Sequence, residues 1–402
     1  MDMKEKRNSL KPFWAFMICF FMLSEYCPGF ELLEKLHVKH YVLMVSVLLL
    51  GIVQWNYLKR TEELKRWGLI VGGLFGISLL LQIVHGKFQW FTIEQLYYMV
   101  IPFLFVYLVF NYAKVDRIDN IVTATMICGI LSVLLRWIID GTFTVQNVLR
   151  MLDLRNLFID STSPMGESGL SSYFVIMLIF FIYRRKTIRS IVCAVFCFMC
   201  YKRFAVFFML ITVLFWWLLK MKRVHKAWLW SAIVVFLLLP FAAQMMCTDS
   251  FSNWFYTRYG IDFNMFTMTR FYIINTVVDA NLTSYGLGTV THFLEQRSVS
   301  GQLNMHNDIL MVYMDCSIVG SYLFTKNFFY MCRNNYYSFW LMLFIFGQMF
   351  VTHCLGSGTI TIWLLIYTLV FYFNREAQKS DEESNSNFVS DSDNHNGADV
   401  SQ

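Results

Sequence analysis

Apolar blocks of roughly 15–20 residues recur along the whole chain, separated by short polar connectors. That is the pattern of helices that cross a bilayer rather than of helices packed on a soluble core. The blocks predict spans near 12–27, 41–58, 68–85, 96–112, 120–139, 170–183, 188–200, 204–220, 227–246, 306–324, 337–353 and 358–373. Lys and Arg cluster in alternate connectors: "KEKR" before the first span, "KRTEELKR" after the second, "AKVDR", "YRRKTIR", "KMKRVHK" and "TKN" with "MCRNN" further on. All fall on one side, which the positive-inside rule makes cytoplasmic, with both termini inside. The expected fold is all-α and polytopic, with about twelve spans over residues 1–375. Two outer-face segments, 140–169 and 247–305, are too long for plain connectors and too aromatic for disorder, so they are expected to fold against the membrane face. Within the second, "NMFTMTRFYIINTVVD" has helical apolar spacing suited to the interface, and "YGLG" supplies a glycine-permitted turn. Residues 376–402 are acidic and rich in Ser and Asn, and are expected to be a disordered cytoplasmic tail.

Composition narrows the function classes. The chain is 57% hydrophobic and 15% charged, which leaves no soluble domain of any size. The net charge of +6 lies in connectors that specify topology, so nucleic acid is not implied. The cysteines are scattered through apolar stretches, and Cys193, Cys197 and Cys200 share a helix face with no histidine or second cysteine pair beside them. Packing explains them better than a metal site. The "DSD" in the tail is a chance match to metal-binding Asp-x-Asp. Neither a metal nor another cofactor is implied.

Candidate chemistry gathers on the outer face, where Arg150, Arg155, Lys202, Arg203, Arg258, Arg270 and Arg297 break the expected charge bias. Acids in the same loops can pair with Arg150, Arg155 and Arg297. Lys202 and Arg203 stand between two spans with no loop acid beside them. They either snorkel to outer headgroups or form an anion site, in which an Arg fork and a Lys point charge hold phosphate and Arg270 adds a second arm. His306 opens a span beside Asn307 and Asp308, which could orient it, and a neutral imidazole there suits a general base. Asp315 lies two and a half turns deeper, where a carboxylate must be protonated or paired. His292 and His353 lack such polar neighbours in sequence and are read as structural.

Together these residues resemble the O-antigen ligase and Wzy-type polysaccharide polymerase superfamily. The resemblance rests on Arg270 in "TRFYIINTVVDANLTSYGLG", on His306, Asn307, Leu310, Asp315 and Gly320 in "HNDILMVYMDCSIVG", and on Arg203 in "KRFAVFFMLI". Asp315 stands where many members have glutamate, and Ser317 where they have glycine. The resemblance implies a membrane-embedded, GT-C-like glycosyltransferase, metal-independent, on the outer face of a bacterial plasma membrane. Its donor would be an oligosaccharide on undecaprenyl diphosphate, polymerised into O-antigen, capsular or exopolysaccharide. The implied partners are the bilayer, a chain-length regulator and a flippase. In that reading Arg203 and Arg270, helped by Lys202 and Arg258, bind the diphosphate while His306 accepts the acceptor's proton, with Asn307, Asp308 and Asp315 in support. The outer aromatics Trp254, Phe255, Tyr256, Tyr259 and Tyr272 either stack on sugars or form an interfacial belt. Two other readings stay open: a ligase that passes the glycan to lipid A core or another final acceptor, and a lipid-linked oligosaccharide flippase. The flippase reading draws on Glu25, Arg136 and Asp315 within or beside the spans.

Overall fold

The computed structural model describes residues 10–112, 118–151, 165–166, 168–267, 270–297 and 305–395, and all regular structure among them is helical. The first half runs α1 (Leu10–Tyr26), α2 (Glu31–Lys35), α3 (Val38–Gln54), α4 (Glu62–Val84), α5 (Phe91–Tyr112), α6 (Asp119–Ile139), α7 (Val145–Met151), α8 (Leu170–Tyr183) and α9 (Thr187–Met199). The second runs α10 (Arg203–Leu214), α11 (Lys226–Met246), α12 (Asp249–Tyr259), α13 (Phe263–Phe266), α14 (Arg270–Asp279), α15 (Thr289–Arg297), α16 (Asp308–Met331), α17 (Tyr336–Val351) and α18 (Ile360–His395).

Every apolar block of the sequence falls on a helix, but length separates them. Among the described residues α4, α5, α6, α11 and α16 are long and apolar enough to cross a membrane. The apolar helices α3, α8, α9, α10 and α17 are shorter. At about 1.5 Å per residue, a helix of some 17 residues covers about 26 Å, less than the roughly 30 Å of a hydrocarbon core. The protein is therefore a multi-pass helical membrane protein with five candidate full-length spans among the described residues.

Local signals fix several helix ends. Thr61 Oγ1 accepts from Leu64 N (3.2 Å) at the head of α4, where Glu62 and Glu63 complement the helix dipole. Asn335 Oδ1 caps α17 by accepting from Ser338 N (2.7 Å). Helix α8 is apolar all round, and its residues from Leu170 to Phe181 are buried against α6, α9, α10, α17 and α18. A helix enclosed by other helices need not match the bilayer, which accounts for its shortness. Cys193, Cys197 and Cys200 are buried, and Ser171 Oγ of α8 donates to the Cys197 carbonyl (3.0 Å), so this face of α9 is a packing face.

The segment between α11 and α16 carries four helices, α12 to α15. Phe255, Phe263, Phe266 and Phe271 hold the first three together, with Phe263 and Phe271 rings 4.3 Å apart. Trp254, Tyr256, Tyr259 and Tyr272 remain exposed around that cluster. The turn before α15 is bolted deep into the bundle. Leu287 N donates to Ser78 Oγ of α4 (2.9 Å), Thr92 Oγ1 of α5 donates to the Leu287 carbonyl (2.9 Å), and Gln82 Nε2 donates to the Tyr285 carbonyl (3.1 Å). Gly286 and Gly288 both have positive φ, +99° and +90°, as the "YGLG" reading expected. A Cβ on Gly286 would stand 2.3 Å from Ser78 Cβ. Gly286→Ala is therefore expected to lower stability by about 2–4 kcal/mol, combining left-handed strain with overpacking. Thermal unfolding of the purified protein in detergent reads this as a fall of several degrees, and an unchanged midpoint would show that the turn is not seated in this way.

Helix α18 runs on past Arg375 to His395. Ala, Gln, Glu and Lys after Asn374 are good helix formers, and Lys379 pairs with Glu376 at 3.1 Å across one turn. A helix already nucleated by packed apolar residues propagates into such a stretch at little cost. Arg155, Asp153, Asp160 and Glu167, and the tail beyond His395, lie outside the described residues.

Candidate functional site

Where α16 begins, the chain must satisfy the first N–H groups of a long helix. Asn307 does so directly, its Oδ1 accepting from Leu310 N (2.9 Å). It is a helix cap, so its amide is occupied by the backbone. Asp308, fully buried in the first turn, holds a different histidine from the one the sequence suggested. Its carboxylate accepts from His353 Nδ1 (2.6 Å), Leu355 N (2.9 Å) and Cys354 N. Asp308 thus fixes the chain that follows α17, and the expected Asp308–His306 pairing gives way to Asp308–His353. The reason is directional. Residues 308 and 353 meet where α16 and α17 pack side by side, whereas His306 turns away in the left-handed region at φ +51°.

His306 stands just above the first residue of α16, outside the helix, with Nδ1 buried and without a hydrogen-bond partner among the described residues. Burial lowers its pKa to about 4, and the charges of Arg270, His353 and Lys202 push the same way against the opposing Asp308. The imidazole is therefore neutral near pH 7. His353, beyond the end of α17, moves oppositely. Burial pulls its pKa down, but the charge and hydrogen bond of Asp308, with help from Glu295, raise it above the ordinary imidazole value.

Both histidines line one cavity of about 580 Å³. Its other walls come from α5, which contributes Glu94, Gln95 and Tyr98, from α15, which contributes His292 and Glu295, and from the Gly356–Thr359 stretch. Tyr98 Oη donates to Glu94 Oε1 (2.9 Å). Partial burial raises the Glu295 pKa, and the like charge of Glu94 adds to it. The cavity lining thus combines imidazoles with carboxylates. A smaller cavity of about 50 Å³ shares Thr352, His353 and Thr359 with it and is lined by Lys202, Ser172, Tyr173 and Gln348. Ser172 Oγ, Tyr173 Oη and Gln348 Oε1 are buried there without hydrogen-bond partners among the described residues.

The remaining expected residues divide. Arg270, at the head of α14, and Lys202, just before α10, are near enough to depress the His306 pKa. Arg203 is committed elsewhere: its Nη2 donates to the Phe266 carbonyl (3.0 Å) and its guanidinium lies over the Phe266 ring at 5.2 Å. It ties α13 to α10 and is not among the residues lining the cavity. Arg258 is exposed in the last turn of α12, also outside the lining. Arg297 stacks over Phe293 at 4.5 Å.

Among the described residues Asp315 pairs with no basic residue. Its two carboxylate oxygens accept from Gly288 N (2.7 Å) and Val290 N (3.0 Å), which puts a negative group at the N-terminus of α15. Helix α16 breaks two residues on, at Ser317, with φ +62° and ψ −176°. That conformation is essentially a glycine one, adopted here by a serine. Asp315 also lines a separate cavity of about 250 Å³ with Gln244, Asn281 and Ser284.

Sequence reasoning missed His353, Glu94 and Glu295. Each is isolated among apolar or neutral neighbours, and only the packing of α15 on α5 and of α17 on α16 brings them to His306. No family model matches the chain, and no curated protein and no solved structure matches it.

Proposed function

We propose that the protein is a glycosyltransferase that polymerises lipid-diphosphate-linked oligosaccharide repeats on the outer face of a bacterial plasma membrane, with a GT-C-like arrangement of about twelve spans and cytoplasmic termini. The observation that carries this reading is His306, neutral and with Nδ1 unpartnered among the described residues, on the wall of a 580 Å³ cavity that Glu94 and Glu295 also line, with Arg270 and Lys202 near enough to lower its pKa. Glycosyl transfer needs those parts. An acceptor hydroxyl attacks the anomeric carbon, the bond from that carbon to the diphosphate oxygen breaks, and undecaprenyl diphosphate departs with the electron pair. Arg270 and Lys202 offset the charge gathered on the diphosphate. His306 takes the hydroxyl proton, and the departing anion nearby increases the imidazole's affinity for it as the reaction proceeds. His353, held by Asp308, lines the same cavity. Glu94, Glu295 and Tyr98 supply acceptors for the hydroxyls of the incoming sugar.

Arg203 supports the site indirectly, by seating α13, and Asp308 and Asp315 act as fixtures for the loops that line it. The flippase reading finds one favourable observation, the break in α16 at Ser317. Against it, each ionisable group that favoured transport is already satisfied. Glu25 pairs with Lys39 (3.5 Å) and accepts from Thr361 (2.7 Å), Arg136 pairs with Asp140 (3.8 Å), and Asp315 is bonded to the backbone.

Banding of surface polysaccharide in a deletion strain tests polymerase against ligase. Single repeats on the final acceptor support the polymerase, whereas accumulated long lipid-linked polymer supports the ligase. The carboxylates of the cavity lining give a second expectation. Glu295→Gln should raise the KM for the acceptor repeat about fivefold through a weakened hydrogen bond at an open site, leaving donor handling unchanged. Arg270→Gln should show the reverse. Initial rates with each substrate varied would expose a common effect on both, which contradicts the assignment.

A further inference from the structure

A second cavity, of about 320 Å³, lies at the opposite end of α4, lined by Lys59, Arg60, Thr61, Glu62, Arg375 and the aromatic side chains Tyr107, Phe110 and Phe371. The 23 residues of α4 put it roughly 34 Å from the histidine cavity, which adjoins the other end of the helix near Gly288. Its charge balance is uneven. Glu62 is engaged by Arg66 (2.8 Å) and lies 3.6 Å from Arg333, and Glu63 Oε1 accepts from Asn374 (2.9 Å). The Lys59 and Arg60 side chains form no ion pair among the described residues, and both are exposed at the rim. Arg375 donates to the Phe110 carbonyl and lies over the Phe110 ring at 4.9 Å, so its charge stays at the cavity. The first N–H groups of α4 add the positive end of a long helix dipole.

The inner wall is different. Phe110 and Phe371 are buried and their rings lie 5.5 Å apart, so the cavity is basic at its mouth and aromatic within. We infer that this cavity is a binding site for an anionic phospholipid of the leaflet on that face, its phosphate between Lys59, Arg60 and Arg375 and its glycerol and upper chains against Phe110 and Phe371. A free phosphate matches the rim alone; an amphiphile matches both parts. Basic pockets between spans, on the face that topology makes cytoplasmic, hold anionic headgroups in this way.

The test uses the full-length protein in detergent, titrated with phosphatidylglycerol or phosphatidylcholine and read by native mass spectrometry. Wild type should bind phosphatidylglycerol in preference, and 10 mM inorganic phosphate should not displace it. The Lys59→Gln/Arg60→Gln variant should bind it about thirtyfold more weakly, while Arg136→Gln, a surface cation at the other face, should match wild type. Among the described residues neither the Lys59 nor the Arg60 side chain forms an ion pair, and an unchanged melting temperature checks that the variant is folded. Equal binding by wild type and the double variant, equal binding of the two lipids, or full displacement by phosphate would each overturn the inference.

Discussion

His306→Ala protein, shown to be present in the membrane, is expected to form polymer some 10²–10⁴-fold more slowly than wild type, the usual contribution of a general base. The variant should remain folded, because His306 Nδ1 has no partner among the described residues and its loss leaves no buried group unsatisfied. His306→Asn is the better-controlled form of the same change, since asparagine tolerates the left-handed backbone that this position adopts at φ +51°. The pH profile carries independent information. With its pKa near 4, His306 stays unprotonated as pH falls from neutrality until it approaches that value. An acidic limb with a midpoint near 6.5 that disappeared in the variant would assign the base to an unperturbed histidine and contradict the account.

Asp308→Asn should damage stability as well as activity. The carboxylate accepts three hydrogen bonds in a fully buried position, and an amide cannot accept all three without presenting an N–H to another donor. A loss of about 3 kcal/mol is expected, measured as a lowered unfolding midpoint in detergent. The sign of the pH effect follows from His353. Its pKa is higher when folded, so its contribution to stability is full below the unfolded value of about 6.5 and is lost as pH rises through the folded value. Removing the Asp308 charge should flatten that alkaline loss. A variant as stable as wild type, with the same pH dependence, would show that Asp308 does not hold His353. The two variants are distinguishable because His306→Ala should leave the melting temperature near that of wild type.

The helical fold was legible because apolar blocks act locally, and glycines 286 and 288 mark a turn that proves to have positive φ. How many blocks reach across a bilayer was not legible. A buried helix such as α8 and a lipid-facing one have the same composition, and only packing tells them apart. The His306–Asn307–Asp308 cluster was visible as polar residues at the mouth of an apolar run. Its wiring was not, because Asp308 chooses His353 through a contact between α16 and α17 that spacing cannot encode. Arg203 read as a clamp residue from its charge, its place between two spans and the resemblance, whereas the carbonyl it meets belongs to Phe266, more than sixty residues away in the chain. Asp315 raised the right question, since a carboxylate inside an apolar run needs partners. Those partners are backbone N–H groups, which no residue pattern reports.

The most direct test of the central claim is reconstitution of the purified protein in liposomes with defined undecaprenyl-diphosphate-linked repeats, following glycan length and released undecaprenyl diphosphate together. The account predicts elongated lipid-linked glycan, with one undecaprenyl diphosphate released for each linkage formed and both signals lost in His306→Ala. Movement of lipid-linked repeats across the bilayer with no linkage formed, or elongation by His306→Ala at the wild-type rate, would contradict it.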